Sequence, residues 1–421
     1  MQRSHLRHQL HRALQVSRLT SLWGKLAIAQ LVIIGLLYWT WAPVSLTLVV
    51  PAAEIPYWSD VVVAFEAEHP DIRLRPIGLN NPQGDITVNL KELCTLEVTR
   101  RSLCDIVYLD VIWVPELAAR GWLQTLDDKV SAAELAQFVQ SDVAAGRYEN
   151  QLYRLPFRAD FGMLYYRSDL LQAAPPPSTF QALLNISQSL QAENDLPWGY
   201  LWPSQREGLV TTFVEVLQGY GGFWIDPATQ TVGLDQPAAI AAAEFLRRTI
   251  ELGVSPPLET YTDDEMLAAF QRGEAVFMRN WPYVLRQIEA TSSLAIAWQP
   301  MQFHTAGEAG AACKGSWGFG IAQRSRHPRQ AWRAIQYLTS ELAQRQFMQK
   351  TSYIPSRRSL LSEPTLTQAA EAAILRPSIA QYADASLILQ TYLSKTLGQQ
   401  LSAEAAMTAA AEQTRELLQG D

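Results

Sequence analysis

The sequence predicts an α/β protein of two domains, and three observations carry that prediction. Its 421 residues are too many for a single core. Near the start, a buried strand, a helix and a second strand follow one another, the opening of a doubly wound sheet whose ligands sit beyond the carboxyl ends of the strands. Farther on, the extended stretch 152–171 is interrupted twice, as in a chain that crosses between domains. Hydrophobic residues at 48% and charged residues at 18% supply ample core and exclude a disordered chain.

Residues 45–50 read as a buried strand running into Glu54. Beyond it Trp58, Val61, Val62 and Phe65 recur at helical spacing until His69-Pro70 stops the helix. Residues 72–77 alternate apolar and charged, which gives the second strand. A polar helix is expected over 85–101, then a strand over 106–109 closed by Asp110 and Trp113. Pro156 breaks the extended run and Asp160 with Gly162 interrupts it again, before a strand resumes at 163–166. Three prolines, 175–177, precede Ser178, the expected N-cap of a helix to about Leu190. A strand over 198–202 follows, and Asp235 with Pro237 starts a helix carrying Ile240, Ala243, Leu246 and Ile250 on one face. After a helix over 263–271, a strand over 294–298 ends at Pro300, a second place to cross back. Helices over 327–349 and an Ala-rich amphipathic helix over 402–420 complete the chain.

Charge is unevenly spread. Arg3, Arg7, Arg12, Arg18 and Lys25 stand without an acid in the first 25 residues, which carry +5, so the rest carries −12 and the sum is the net −7. An acidic body argues against nucleic acid as partner. The basic start runs into sixteen uncharged residues, 26–41, closed by Tyr38, Trp39 and Trp41. That is the pattern of an export signal or a signal anchor, with the body outside. Sixteen falls short of the roughly 20 residues of a spanning helix, which suits a cleaved signal. Pro43 after Ala42 opposes cleavage and favours an uncleaved anchor. Cys94 and Cys104 are spaced to pair in an oxidising compartment or to be two buried thiols, and Cys313 is left over. No Cys/His spacing suggests a metal, and no cofactor motif occurs.

Candidate site residues lie where strands end. Glu54 and Asp110 fall at the same edge of the opening sheet, where two carboxylates accept hydrogen bonds from hydroxyl donors or serve as a glycosidase pair. Glu54 also suits a helix dipole. Residues 273–283 hold a short strand broken by Asn280 and Pro282, which throws Trp281 and Tyr283 onto a tight turn. Two amphipathic rings on a turn make a platform for a ligand apolar on one face and hydroxylated at its rim, such as a sugar. A lone Trp281 also suits a core plug. In C-K-G-S-W-G-F-G-I, residues 313–321, Gly315, Gly318 and Gly320 allow close backbone approach around Trp317.

Several stretches together resemble the extracellular solute-binding proteins of sugar ABC importers, most closely the trehalose/maltose-binding branch. They are E-I-P-Y-W from Glu54, D-I-V-Y-L-D-V-I-W ahead of G-W-L, and L-P-F-R-A-D-F-G-M-L-Y-Y-R-S-D-L-L with P-P-x-T-F after it. W-P-S-Q-R-E-G-L-V, R-N-W-P-Y, G-S-W-G-F-G and I-P-S-R follow in the family's order, covering the chain from about Val44 to its end. The resemblance implies a two-lobed periplasmic-binding-protein fold of the maltose-binding type. Its lobes would be 44–156 with 300–346 and 157–299 with 347–421, joined by crossover strands. It implies a monomeric, non-enzymatic receptor in the periplasm or at the cell surface. That receptor would capture a small glucoside between its lobes and deliver it to transmembrane permease subunits. By the same resemblance Glu54, Asp110, Asp160 and Arg357 would bind sugar hydroxyls, and Trp281, Tyr283 and Trp317 would stack on rings beside Gly315. Two departures stand out: Ser316 where a second glycine is usual, and Arg158 where an uncharged residue is usual. A glycoside-acting enzyme and a membrane-anchored sugar sensor are the rival functions.

Overall fold

The computed structural model describes residues 43–79, 104–172, 174–226, 228–258 and 260–420. The basic leader, the polar helix expected over 85–101 and Cys94 lie outside the described residues. In chain order the strands are β1 (Val44–Pro51), β2 (Ile72–Leu79), β3 (Ile106–Asp110), β4 (Arg147–Tyr148), β5 (Gln151–Leu152), β6 (Leu155–Arg158), β7 (Met163–Arg167), β8 (Trp198–Leu201), β9 (Ala275–Asn280), β10 (Ile296–Pro300) and β11 (Trp317–Ile321).

Two mixed sheets result, each the centre of one lobe. The first runs β2-β1-β3-β11-β6 and the second β10-β7-β9-β8, with β4 and β5 a separate small pair. In the first sheet β1 is parallel to β2 and β3, as the strand-helix-strand opening requires, and β11 returns antiparallel between β3 and β6. In the second, β8 and β9 are parallel while β7 and β10 run against their neighbours.

The helix Ile55–Glu68 forms where the apolar spacing placed it, with Pro56 in its first turn. It buries Trp58, Val61 and Phe65 and ends at His69 ahead of Pro70. Trp58 is completely buried among Phe347, Phe157 and Tyr108 at centroid separations of 4.3, 5.2 and 5.3 Å. The helix Glu341–Thr351 packs on Ile55–Glu68, so the chain stays on the first lobe past residue 346. On the second lobe Thr179, not Ser178, caps Phe180–Glu193, accepting from the Ala182 N–H at 3.1 Å. Thr262 and Glu265 form a capping box at the start of Asp263–Gln271. Asp235 does not cap its helix; it accepts from Arg415 at 2.6 Å and ties it to the C-terminal helix Ala403–Gln419.

Three segments cross between the sheets and bond to one another. Ala159 donates to Ile354, Gly162 to Cys313, and Gly315 to Asp160. The Asp160 side chain adds a fourth link, accepting from the Ile354 N–H at 2.8 Å. Cys104 is disulfide-bonded, and Cys313 is a buried free thiol beside the crossings.

Candidate functional site

A cavity of about 860 Å3 opens between the two lobes. Sheet geometry sets its first wall. β1 ends at Pro51, and a short turn brings Glu54 to its carboxyl end. Asp110 is the last residue of β3 and caps the next turn by accepting from Ile112 at 3.4 Å. In the register of the sheet Trp317 lies directly across from Asp110 on one side and Arg158 on the other, so all three side chains emerge at one rim. The second wall brings Glu207 and Asp264 from near helix starts and Tyr283 from the turn after β9. Tyr353, from the last crossing, closes the back.

Glu54, Asp110, Tyr283 and Trp317 therefore meet around one cavity. The other sequence-predicted residues do not line it. Asp160 is buried at 2% exposure, held by Ile354 and with Oδ2 3.3 Å from the Arg158 Nε. Burial pushes its carboxyl up to about 7, against the pull of Arg158 and the Ile354 N–H. Trp281 is sandwiched between Arg279, whose guanidinium lies 4.2 Å from the ring centroid, and Gly315. A Cβ on Gly315 would fall 2.5 Å from the indole, so glycine is required there to admit the ring. Arg357 is bonded within the first lobe, where it donates to Thr339 and Gln137 at 2.6 Å each, pairs with Glu134, and lies over Phe138. Its guanidinium is committed to structure because Gln137, Thr339 and Glu134 converge on it from elements that sequence distance does not relate.

Charge in the cleft is arranged in two groups. Arg376, 3% exposed, bridges Asp110 of the first wall at 3.2 Å and Glu207 of the second at 2.9 Å, and Tyr382 also donates to Glu207 at 2.7 Å. Glu54 accepts from Arg158 at 2.9 Å and from the Tyr353 hydroxyl at 3.1 Å, both at Oε1. Its Oε2 is buried and has no partner among the described residues. Among the described residues no cluster of His, Cys, Asp or Glu could hold a metal ion. What the wall offers is hydroxyl acceptors beside aromatic faces: Trp113, Trp317, Tyr283 and Tyr353.

Residues that sequence spacing did not single out are Trp113, Glu207, Tyr353 and Arg376. Three of them stand within or beside stretches that carried the resemblance. Arg376 has no local signal: it lies in a loop, and only the packing of that loop against Glu207 and Asp110 gives it a role.

The sequence model of the bacterial extracellular solute-binding proteins matches residues 51–345. The chain belongs to that family. A probable ABC transporter-binding protein of Deinococcus radiodurans is 28% identical over 275 residues, 63% of this solute-binding protein and 65% of that relative, so the match spans less than two thirds of it. Among solved structures, the maltose-bound MalE3 of T. maritima is 27% identical at a TM-score of 0.78, covering 89% of this chain and 100% of that one. The GacH receptor of Streptomyces glaucescens GLA.O, solved unliganded and with acarbose, is 21% identical at a TM-score of 0.79, covering 89% and 98%. Both have the two-lobed fold described above. The family is one of binding proteins, which sets aside the glycosidase reading of the carboxylates, and its extracellular character puts the chain in the periplasm or at the cell surface. Among the described residues no helix is long and apolar enough to cross a membrane.

Proposed function

We propose that this protein is the substrate-binding component of an ABC carbohydrate importer. It captures a disaccharide or small glucoside between its lobes and hands it to transmembrane permease subunits. The observation that carries this is the cavity of about 860 Å3, whose walls pair acidic acceptors with aromatic rings from both lobes. Its volume falls in the range of small-molecule sites. Aromatic faces take up the apolar face of a sugar ring, and ionised acceptors take its hydroxyls at about 1.5–3 kcal/mol each. The likeness to a maltose-bound protein supports the ligand class.

The first lobe comprises 44–156 with 300–346 and, by the packing of Glu341–Thr351 on Ile55–Glu68, runs on to Thr351; the second comprises 157–299 and the residues after Thr351. The protein acts as a monomer, and its hydrophobic leader exports it and holds it at the membrane. No phosphate-binding loop occurs in the sequence, so the energy for transport comes from another chain.

Calorimetric titration with maltose, trehalose, sucrose and glucosylglycerol tests the proposal. Binding of at least one, with a matching rise in melting temperature, is expected. Failure to bind any of the four overturns it.

A further inference from the structure

Arg158 ends β6 directly across from Trp317 and is 5% exposed. It lies behind the cavity wall rather than in it, yet it touches three groups that form the wall. Its guanidinium donates to Glu54 Oε1 at 2.9 Å. Its Cζ lies over the Tyr353 ring at 3.8 Å from the centroid and over the Trp317 ring at 4.8 Å. Burial works against its charge, but Glu54 beside it holds its pKa well above the ordinary arginine value.

Three physical consequences follow from that placement. A carboxylate as buried as Glu54 is costly to leave without a partner, and Arg158 is bonded to it at 2.9 Å. Because Arg158 and the Tyr353 hydroxyl both donate to Oε1, the carboxylate plane is fixed and Oε2 is left with no donor among the described residues. A planar guanidinium also presents a face to each ring, which an ammonium group cannot do. One side chain thus sets Glu54 from the first wall, Trp317 from the sheet rim and Tyr353 from the crossing.

We propose that Arg158 is the positioning residue of the cleft, locking Glu54, Tyr353 and Trp317 into one arrangement in which Glu54 Oε2 awaits a hydroxyl donor of a neutral sugar. This rests on the reading of the cleft as a sugar site.

A double-mutant cycle decides it. Affinity is measured by calorimetry for the tightest-binding of maltose, trehalose, sucrose and glucosylglycerol in wild type, Arg158→Met, Glu54→Gln and the double variant. If Arg158 acts through Glu54, Arg158→Met lowers affinity about 10- to 100-fold alone but less than about 3-fold on top of Glu54→Gln. A purely structural residue would cost the same in both backgrounds, and that result overturns the inference. The double variant leaves neither charge buried alone. Should Arg158→Met fail to fold, the cycle is run with Arg158→Lys, which keeps the charge without the plane and is judged by the same criterion. A wild type that binds none of the four sugars overturns the sugar reading and this inference with it. Binding with additive losses overturns this inference alone.

Discussion

Glu54 in the cleft and Glu215 beside the crossings are both buried carboxylates paired with an arginine, at 5% and 3% exposure. Glu215 uses both oxygens: Arg279 donates to them at 3.0 and 2.8 Å, and the Cys313 N–H adds a third bond at 3.0 Å. Gly162 packs so closely that a Cβ there would lie 1.9 Å from Oε1. Glu54 instead receives both of its donors on one oxygen, and its other oxygen, buried in a residue that lines the cavity, has no partner among the described residues. The same pair of residue types thus makes a brace in one place and a receiver in the other. What separates them is whether the acceptor capacity is exhausted.

That contrast can be broken most directly at the brace. Glu215→Ala leaves Arg279 buried and unpaired, so unfolding stability should fall by about 3–5 kcal/mol. Denaturant melts showing a loss no greater than that of Glu54→Gln would mean that the two carboxylates do the same job.

Ring substitutions sharpen it next. Trp317→Ala removes a wall ring and should weaken sugar binding by about 1–3 kcal/mol at nearly unchanged stability. Trp281→Ala empties the space between Arg279 and Gly315 and should lower the melting temperature more than the affinity. The reverse order in calorimetry would return Trp281 to the binding wall.

A smaller effect is expected from Asp160. Its carboxyl is pushed up to about 7 by burial, above the ordinary value of about 3.9. The folded chain therefore holds a proton that the unfolded chain has released, over the window between those values. Stability contributed by this group is full below about pH 4 and is lost as pH rises through 7. Asp160→Asn should flatten that decline in melting temperature. A wild type equally flat across the window would remove Asp160 as its source.

The smallest change concerns Arg357. Its guanidinium is bonded to Thr339, Gln137 and Glu134 and does not line the cavity, so Arg357→Met should leave sugar affinity within about 0.5 kcal/mol. A tenfold loss would place it in the cleft after all.

Local periodicity made the strands and helices legible, because burial follows alternation and 3.6-residue spacing. The helix Asp263–Gln271 and the C-terminal helix Ala403–Gln419 fall where the pattern puts them. Glu54 and Asp110 were legible as site candidates for a related reason: the carboxyl ends of adjacent parallel strands share an edge. Trp281 and Arg357 stand outside the cavity lining, and residue type alone does not distinguish a ring that lines a cavity from one that packs beside it, or a free guanidinium from one already bonded. Ser316, unusual in the sequence, is accounted for by its bonds: it donates to the Arg158 carbonyl at 2.9 Å and accepts from Arg154.

By itself, the sequence determined the α/β class, the order of elements and the crossings, since each follows from neighbours along the chain. Only the tertiary structure decided which polar atoms are left open. Arg376 joins Asp110 to Glu207, and Arg158 joins Glu54 to Tyr353 and Trp317, across separations of up to 266 residues. Hydrogen-bond capacity is consumed by whichever groups packing brings within about 3 Å, and no local pattern records that choice.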